Sequence, residues 1–310
     1  MPEISIIIVS FNSRKFISKC LESISRCFKN LGHEIIIIDN GSRDGTIDLL
    51  KQKKDITLVA NGKNEGYAKA CNQGARIASG KYLLFSNPDI EFEDVVPDKI
   101  LVFLSNNKGY AGGGFTHINP PGKIQRVCAG HIVKPVDHIF EQLGFYGILP
   151  SARAFNSRFF RLRGYQTDHP SDFICGGCFL IRKEIFRELS GFDEKFLAYF
   201  EDMDFCRRLK NEGHRLFYWG TLRISHSLGT ERTRMSPASL KTDYISRYYY
   251  FRKHHSLLWF PILWITSNIG IVTRFTLFIL FSLYRTQFYR IAKNYFNVFL
   301  SHLNLIRYAQ

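Results

Sequence analysis

A recurring unit narrows the fold more than any other feature: a short, almost wholly apolar β-branched run followed by a stretch with helical spacing. Residues 4–9 read Ile-Ser-Ile-Ile-Ile-Val, the pattern of a strand covered on both faces. Over residues 13–28, Phe16, Ile17, Cys20, Leu21 and Ile24 share one helical face. Residues 34–38 read as a second buried strand, ending at the turn cluster Asp39-Asn40-Gly41-Ser42. A short helix over 46–51, a strand over 56–59, a helix over 68–77 capped by Asn64 and closed by Gly80, and a strand over 82–86 follow. This alternation predicts an α/β fold: a parallel sheet with right-handed crossovers. Ligands of such sheets bind outside the carboxyl ends of the strands, where Ser10, Asp39 and Asp89 all fall.

Those strand ends exclude two common nucleotide sites. The first strand is followed by Ser10-Phe11-Asn12-Ser13 rather than a GxGxxG fingerprint, and no Walker loop occurs. Asp39 follows a buried strand and suits either a base or ribose or the closing of its own turn. Asp89, in Asn87-Pro88-Asp89, suits a hard divalent cation that bridges phosphates, or a local cap.

The stretch 109–234 is mixed, with a turn at Asn119-Pro120-Pro121-Gly122 and a strand over 174–181. Cys175 and Cys178 lie in that strand with CxxC spacing, but no second pair follows, so they read as buried small residues beside Gly176-Gly177. Seven cysteines, an odd number without a framework, and no secretory signal point to the cytoplasm. Asp193, Glu194, Glu201, Asp202 and Asp204 crowd into 12 positions of a chain whose net charge is +15. Capping of a helix start accounts for one or two of them; the remainder call for a metal, a donor or a proton. His226 follows an aromatic stretch and is by itself an ordinary packing residue.

Together these segments resemble glycosyltransferase family 2, the GT-A fold enzymes, and within it the rhamnosyltransferase-like branch. The resemblance covers roughly residues 3–232. It rests on Ile-Val-Ser-Phe-Asn (8–12), Ile-Asp-Asn-Gly-Ser (38–42), and Asn64-Glu65-Gly66-Tyr67 with Asn72-Gln73-Gly74. Next come Asn87-Pro88-Asp89, Gly191-Phe192-Asp193-Glu194, Tyr199-Phe200-Glu201-Asp202-Met203-Asp204 and His226. Asn87 departs from the family's common DxD, which removes one carboxylate ligand. The resemblance implies a GT-A, mostly parallel sheet, and an inverting transfer of a sugar from a nucleoside-diphosphate donor. dTDP-rhamnose is the first candidate donor and UDP-hexoses the next, with a glycan or lipid-linked glycan of cell-surface polysaccharide synthesis as acceptor. It further implies Asp202 as the general base, and Asp89 and His226 as ligands of Mg²⁺ or Mn²⁺. Asp39, with Ser10, Asn64, Gly66, Gly176, Gly177 and Glu201, would bind the substrates.

The division expected is a nucleotide-sugar half (1–115), an acceptor half (116–235) and a helical, membrane-associated segment (236–310). From Arg232 to the end, eleven Lys/Arg face one acid, Asp243. A nucleic-acid-binding protein would share this charge but has no use for the clustered acids, and an inactive sugar-binding scaffold would not need both base and metal ligand. Residues 256–273 carry no charge and as a helix span about 27 Å, just short of a bilayer core of about 30 Å. Pro261, Asn268 and Gly270 are expected to interrupt them. Beyond, Leu277, Leu280, Phe281, Phe288, Ile291, Tyr295 and Phe299 fall opposite Arg274, Arg285, Arg290, Lys293 and Arg307 on a helical wheel. The segment therefore reads as lying in a membrane interface, on the inner face of the cell membrane, and self-association of the chain is left open.

Overall fold

The computed structural model describes residues 2–119, 122–145, 158–160, 162–227, 236–285 and 287–302. Pro120, Pro121, Arg232 and Arg307, named above, lie outside them. The strands are β1 (Ile4–Ser10), β2 (His33–Asp39), β3 (Thr57–Ala60), β4 (Tyr82–Ser86), β5 (Ile90–Phe92), β6 (Tyr110–Asn119), β7 (Lys123–Ile124), β8 (Ala129–Gly130), β9 (His169–Ser171), β10 (Phe173–Ile174), β11 (Cys178–Arg182) and β12 (Arg215–His226). The helices are α1 (Ile17–Cys27), α2 (Thr46–Lys51), α3 (Tyr67–Ile77), α4 (Pro97–Asn106), α5 (Pro135–Gln142), α6 (Lys183–Glu188), α7 (Glu201–Asn211), α8 (Pro237–His254), α9 (Trp259–Ser282) and α10 (Gln287–His302). They group into two compact units, one of residues 1–132, 159–197 and 201–229, the other of 133–158, 198–200 and 230–310.

In the first unit the main sheet runs β3-β2-β1-β4-β11-β6-β12-β5. β3, β2, β1 and β4 are mutually parallel, as the alternation of strand and helix predicts. β11 then enters antiparallel between β4 and β6, and β12 runs parallel to β6 and antiparallel to β5 and β9. Ile6, Ile8, Ile37, Leu84 and Leu180 pack with Ile17, Leu21 and Ile24 of α1 into one buried cluster. Elsewhere Gly74 of α3 lies against Ile7, and Phe85, Phe186, Phe192 and Phe205 form a contiguous ring cluster. Burial of both faces is what the unbroken apolar strands anticipate.

Three local expectations change. The strand expected over 174–181 breaks at Cys175–Gly177 into β10 and β11, because β10 pairs with β8 and β11 with β4 and β6. Asn64 does not cap α3: its Oδ1 accepts from the N–H of Gly66 at 3.0 Å, the residue just before the helix begins. Gly80 does not close α3, which stops at Ala78; a Cβ on Gly80 would lie 2.6 Å from the Ser5 nitrogen.

The second unit holds α5, α8, α9 and α10. Ser236 caps α8, its Oγ accepting from the Ser239 N–H, with Pro237 in the first turn. Arg247 of α8 is buried and donates to Glu141 at 2.6 Å and Asp243 at 3.2 Å. Its Nη1 also meets His138 Nδ1 at 3.3 Å. Because a guanidinium only donates, Nδ1 accepts, and Nε2–H is left to donate to Ser267 Oγ at 2.8 Å. α9 is one continuous helix that contains Pro261, Asn268 and Gly270 rather than being interrupted by them. Pro261 falls in the first turn, where its missing N–H costs nothing, and Asn268 donates back to Trp264 O. Arg274 lies within α9 and donates to Glu141 O and Gln142 O at the carboxyl end of α5, so it is no outward charge of a second helix. The apolar face of α10 packs on α9 through Phe278–Phe288, Phe278–Tyr295 and Phe275–Phe296.

The middle of the sheet depends on glycine. A Cβ on Gly113 would lie 1.8 Å from Phe217 O of β12, and one on Gly112 2.0 Å from Leu180 O of β11. Gly113→Ala is expected to force β6 away from β12 and to destabilise the fold by at least the ~1–3 kcal/mol of an overpacked core, read as a lower midpoint in urea unfolding. A midpoint equal to that of the parent would mean that the strands are not this close.

Candidate active site

The carboxyl ends of β1, β2 and β3 hold a network of short polar side chains. Asp39 is fully buried, and its carboxylate accepts from the Gly41 and Ser42 N–H groups and from Ser42 Oγ at 2.6 Å. It closes its own turn. Ser42 Oγ in turn accepts from the Asn12 N–H, and Asn12 Oδ1 from the Arg43 N–H, which ties the loops after β1 and β2 together. Ser10 is fully buried and its Oγ bonds Ser13. Asn40 donates to Gly66 O and Asn64 Oδ1 and accepts from Asn61. Gly66 holds φ 89°, and a Cβ there would lie 2.9 Å from Leu197 O. Ser10, Asp39, Asn64 and Gly66 thus shape one loop cluster.

A second cluster forms around the break between β10 and β11. The Gly176 N–H donates to Asp202 Oδ2 at 2.8 Å, and the Met203 N–H to Asp202 Oδ1 at 2.7 Å. Tyr67 OH donates to Gly176 O at 2.6 Å, linking the start of α3 to the same peptide. One residue on, Gly177 O accepts from the Asn87 N–H at 2.8 Å. A Cβ on Gly177 would meet Asn87, His117 and His226 within 3.4–3.6 Å, and one on Gly176 would lie 3.3 Å from Asp202 Cβ. Two adjacent glycines therefore bring Asp202 and His226 to neighbouring peptides.

Asp89 reaches His226 by pairing. After Asn87-Pro88-Asp89 the chain reverses into β5, and Ile90 pairs with His226 of β12. Asp89 Oδ2 then sits 3.5 Å from His226 Nε2, both side chains being nearly buried. The other ring nitrogen, Nδ1, lies 3.0 Å from Gln125 Oε1. Asn87 Nδ2 is 3.5 Å from Nε2. An imidazole nitrogen and a carboxylate oxygen facing each other suit a divalent cation. Among the described residues no three His, Cys, Asp or Glu side chains form a ready ligand set, so a cation held by this pair would take its other ligands from a bound molecule or water.

Glu201, beside Asp202, is nearly buried and its Oε2 has no hydrogen-bond partner. Burial, with the Asp202 charge adding to it, pushes the Glu201 carboxyl well above its usual range. His117 is buried against His226, ring centroids 5.3 Å apart, with neither ring nitrogen partnered. Burial, and next to it His226, holds the His117 ring well below its ordinary basicity. The density of acids that the sequence presents has mostly local causes. Asp204 pairs with Arg208 at 2.8 Å, Glu194 accepts from Asn72, and Asp193 accepts from the Lys195 N–H. Burial raises the Cys175 thiol, in keeping with a structural rather than a redox role. Sequence reasoning missed Gln125 and His117, which carry no motif; Tyr67 stands inside a quoted motif but was given no role.

The glycosyl transferase family 2 model matches residues 5–190, and a model described as the N-terminal domain of galactosyltransferase matches residues 157–235. An N-acetylglucosaminyl-diphospho-decaprenol L-rhamnosyltransferase of Mycobacterium tuberculosis is 25% identical over 244 residues, 74% of this chain and 78% of its own length. A UDP-Glc:alpha-D-GlcNAc-diphosphoundecaprenol beta-1,3-glucosyltransferase of Escherichia coli is 38% identical over 92 residues, 29% of this chain and 36% of its own. Among solved structures, a mannosyltransferase from Pyrobaculum calidifontis in complex with GDP-Man and Mn²⁺ covers 97% of this chain and 87% of its own, with a TM-score of 0.57 at 15% identity. That likeness is one of fold. The ordered motifs, the mixed sheet and the family match over more than half of its length agree: the chain belongs to glycosyl transferase family 2 and is a glycosyltransferase with the GT-A fold.

Proposed function

We propose that the enzyme transfers a sugar, rhamnose being the first candidate, from a nucleoside-diphosphate donor to a lipid-linked glycan acceptor, with inversion at the anomeric carbon. The observation that carries this reading is the Gly176-Gly177 junction, which sets Asp202 and the Asp89–His226 pair on adjacent peptides. A base and a diphosphate-binding pair so placed fit opposite sides of one reacting carbon, and a single displacement between them inverts it. The rhamnosyltransferase and glucosyltransferase relatives, both named for lipid-diphosphate substrates, support this acceptor class.

Asp202 takes the acceptor hydroxyl's proton as that oxygen attacks. The Gly176 and Met203 N–H groups hold its carboxylate in place, and a fixed base avoids reorganisation during the reaction. Asp89 and His226 would hold Mg²⁺ or Mn²⁺, which supplies positive charge to the departing diphosphate. Asp39, buried in its turn, acts by fixing the Asn40–Ser42 loop against which the nucleotide lies. Ser10, Asn64 and Gly66 support the same loop cluster. Glu201 keeps its proton next to Asp202, so that a single negative charge faces the acceptor.

The second unit offers a surface suited to lipid. α9 is the one described helix long and apolar enough to cross a membrane, by length and composition. Ile262, Ile265, Ile269 and Val272 are exposed at three- and four-residue intervals along its first part, and Leu277 and Leu280 further on, an apolar stripe. Arg285, Arg290 and Lys293 are exposed nearby in sequence. We read this as interfacial attachment to the inner face of the cell membrane, where a lipid-linked acceptor presents its hydroxyl.

Asp202→Asn is expected to keep donor binding and to lower kcat by about 10²–10⁴-fold, the usual contribution of a general base; transfer at the parent rate would place the base elsewhere. Glu201→Gln tests the buried proton. Below the ordinary carboxyl value of 4.5 both folded and unfolded forms are protonated, and above it only the unfolded chain ionises. Stability of the parent therefore falls as pH rises from there, by up to about 1.4 kcal/mol per pH unit. Glu201→Gln should flatten that slope and raise the melting temperature at pH 8; an unchanged slope would show an ionised Glu201. Membranes carrying the enzyme should release it in alkaline carbonate. Release by high salt alone, or only by detergent, would contradict interfacial attachment.

A further inference from the structure

Gln125 grips His226 from both ends. Its Nε2 donates to His226 O at 2.9 Å, and its Oε1 lies 3.0 Å from His226 Nδ1. The backbone carbonyl accepts only, so the amide nitrogen must face it. The amide oxygen must then face Nδ1, and an oxygen there can only accept. Nδ1 therefore carries the ring proton, and in the neutral ring Nε2 is left with its lone pair. That lone pair is on the nitrogen 3.5 Å from Asp89 Oδ2. The grip is anchored at its other end. After the β6–β7 turn the Gln125 N–H donates to His117 O at 2.9 Å, so the side chain reaches from β6 across to the end of β12.

We propose that Gln125 is the positioning residue of the cation site: it fixes the His226 tautomer and ring plane so that Nε2 and Asp89 face one divalent ion. This rests on the reading of Asp89 and His226 as cation ligands. Partners of this kind orient a metal-bound imidazole and raise its basicity, and their loss weakens metal affinity by about 10–100-fold. A Gln that merely tied two strands together would change stability and leave both metal affinity and tautomer alone.

The test uses the full chain and Mn²⁺ alone, with free ion followed by electron paramagnetic resonance. His226→Ala is expected to abolish tight Mn²⁺ uptake. Gln125→Leu should weaken it by about 10–100-fold, and Gln125→Glu, which still accepts from Nδ1–H but loses the donor to His226 O, should bind Mn²⁺ more tightly than Gln125→Leu. Undiminished uptake in His226→Ala would overturn the cation reading itself. Loss in His226→Ala with parent affinity in Gln125→Leu would overturn only the role of Gln125. A second measurement needs no folded Gln125 variant: long-range ¹⁵N correlation of the metal-free parent at pH 8, with His226 assigned by its loss in His226→Ala. A proton on Nδ1 and a bare Nε2 are expected. A proton on Nε2 would overturn the proposal.

Discussion

The insertion of β11 between β4 and β6 is the constraint from which the rest of the first unit follows. An antiparallel strand entering a parallel sheet must arrive at the carboxyl ends of its neighbours and leave at their amino ends. The residues just before it, Cys175–Gly177, are therefore delivered to the ligand-binding edge of the sheet. Gly112 and Gly113 permit the insertion, since a side chain at either would collide with the backbone of β11 or β12. Arg182, at the far end of β11, is buried and donates to Tyr110 O, Tyr82 OH and Leu104 O. One strand thus carries a glycine pair into the site and a satisfied charge out to the opposite end.

Within the site, hydrogen bonds decide which groups remain available for chemistry. Asp39 and Asp202 are both carboxylates held by backbone amides, yet they differ in setting. Asp39 is fully buried in a turn of its own residues. Asp202 is bonded by the Gly176 N–H, 26 residues away in sequence, and retains partial exposure. Glu201, one residue earlier, lies in a drier setting that raises its carboxyl above the usual range. Burial thus sets adjacent acids apart in their affinity for a proton.

The second unit shows how a basic, aromatic sequence can be ordered. Arg247 meets Glu141 and Asp243 where none of the three is well hydrated, and His138 completes the cluster. Such pairs specify one arrangement of α5 and α8 more than they add stability, because dehydrating the charges offsets most of their attraction. Arg274 donates to the last carbonyls of α5 and sets a positive charge at the negative end of that helix.

Much of this was legible in the sequence. The β-branched runs gave strands buried on both faces, and the turn residues after them marked the ligand edge; both are local properties of the chain. The ordered motifs identified the family, and the resemblance they carry named Asp89, Asp202 and His226. Other features were not local and could not be read. That Arg274 faces inward depends on the carboxyl end of α5, more than 130 residues away. Of the acids at 193, 194 and 204, two find partners close by in sequence, Lys195 and Arg208, while the partner of Glu194, Asn72, is brought to it by folding. Gln125 and His117 carried no signal at all, since a glutamine in a turn and a histidine in a strand acquire meaning only when pairing of β6 with β12 sets them beside His226. Periodicity fixes what an element is, and tertiary packing, strand register above all around His226, decides which side chains from separate elements come within hydrogen-bonding distance.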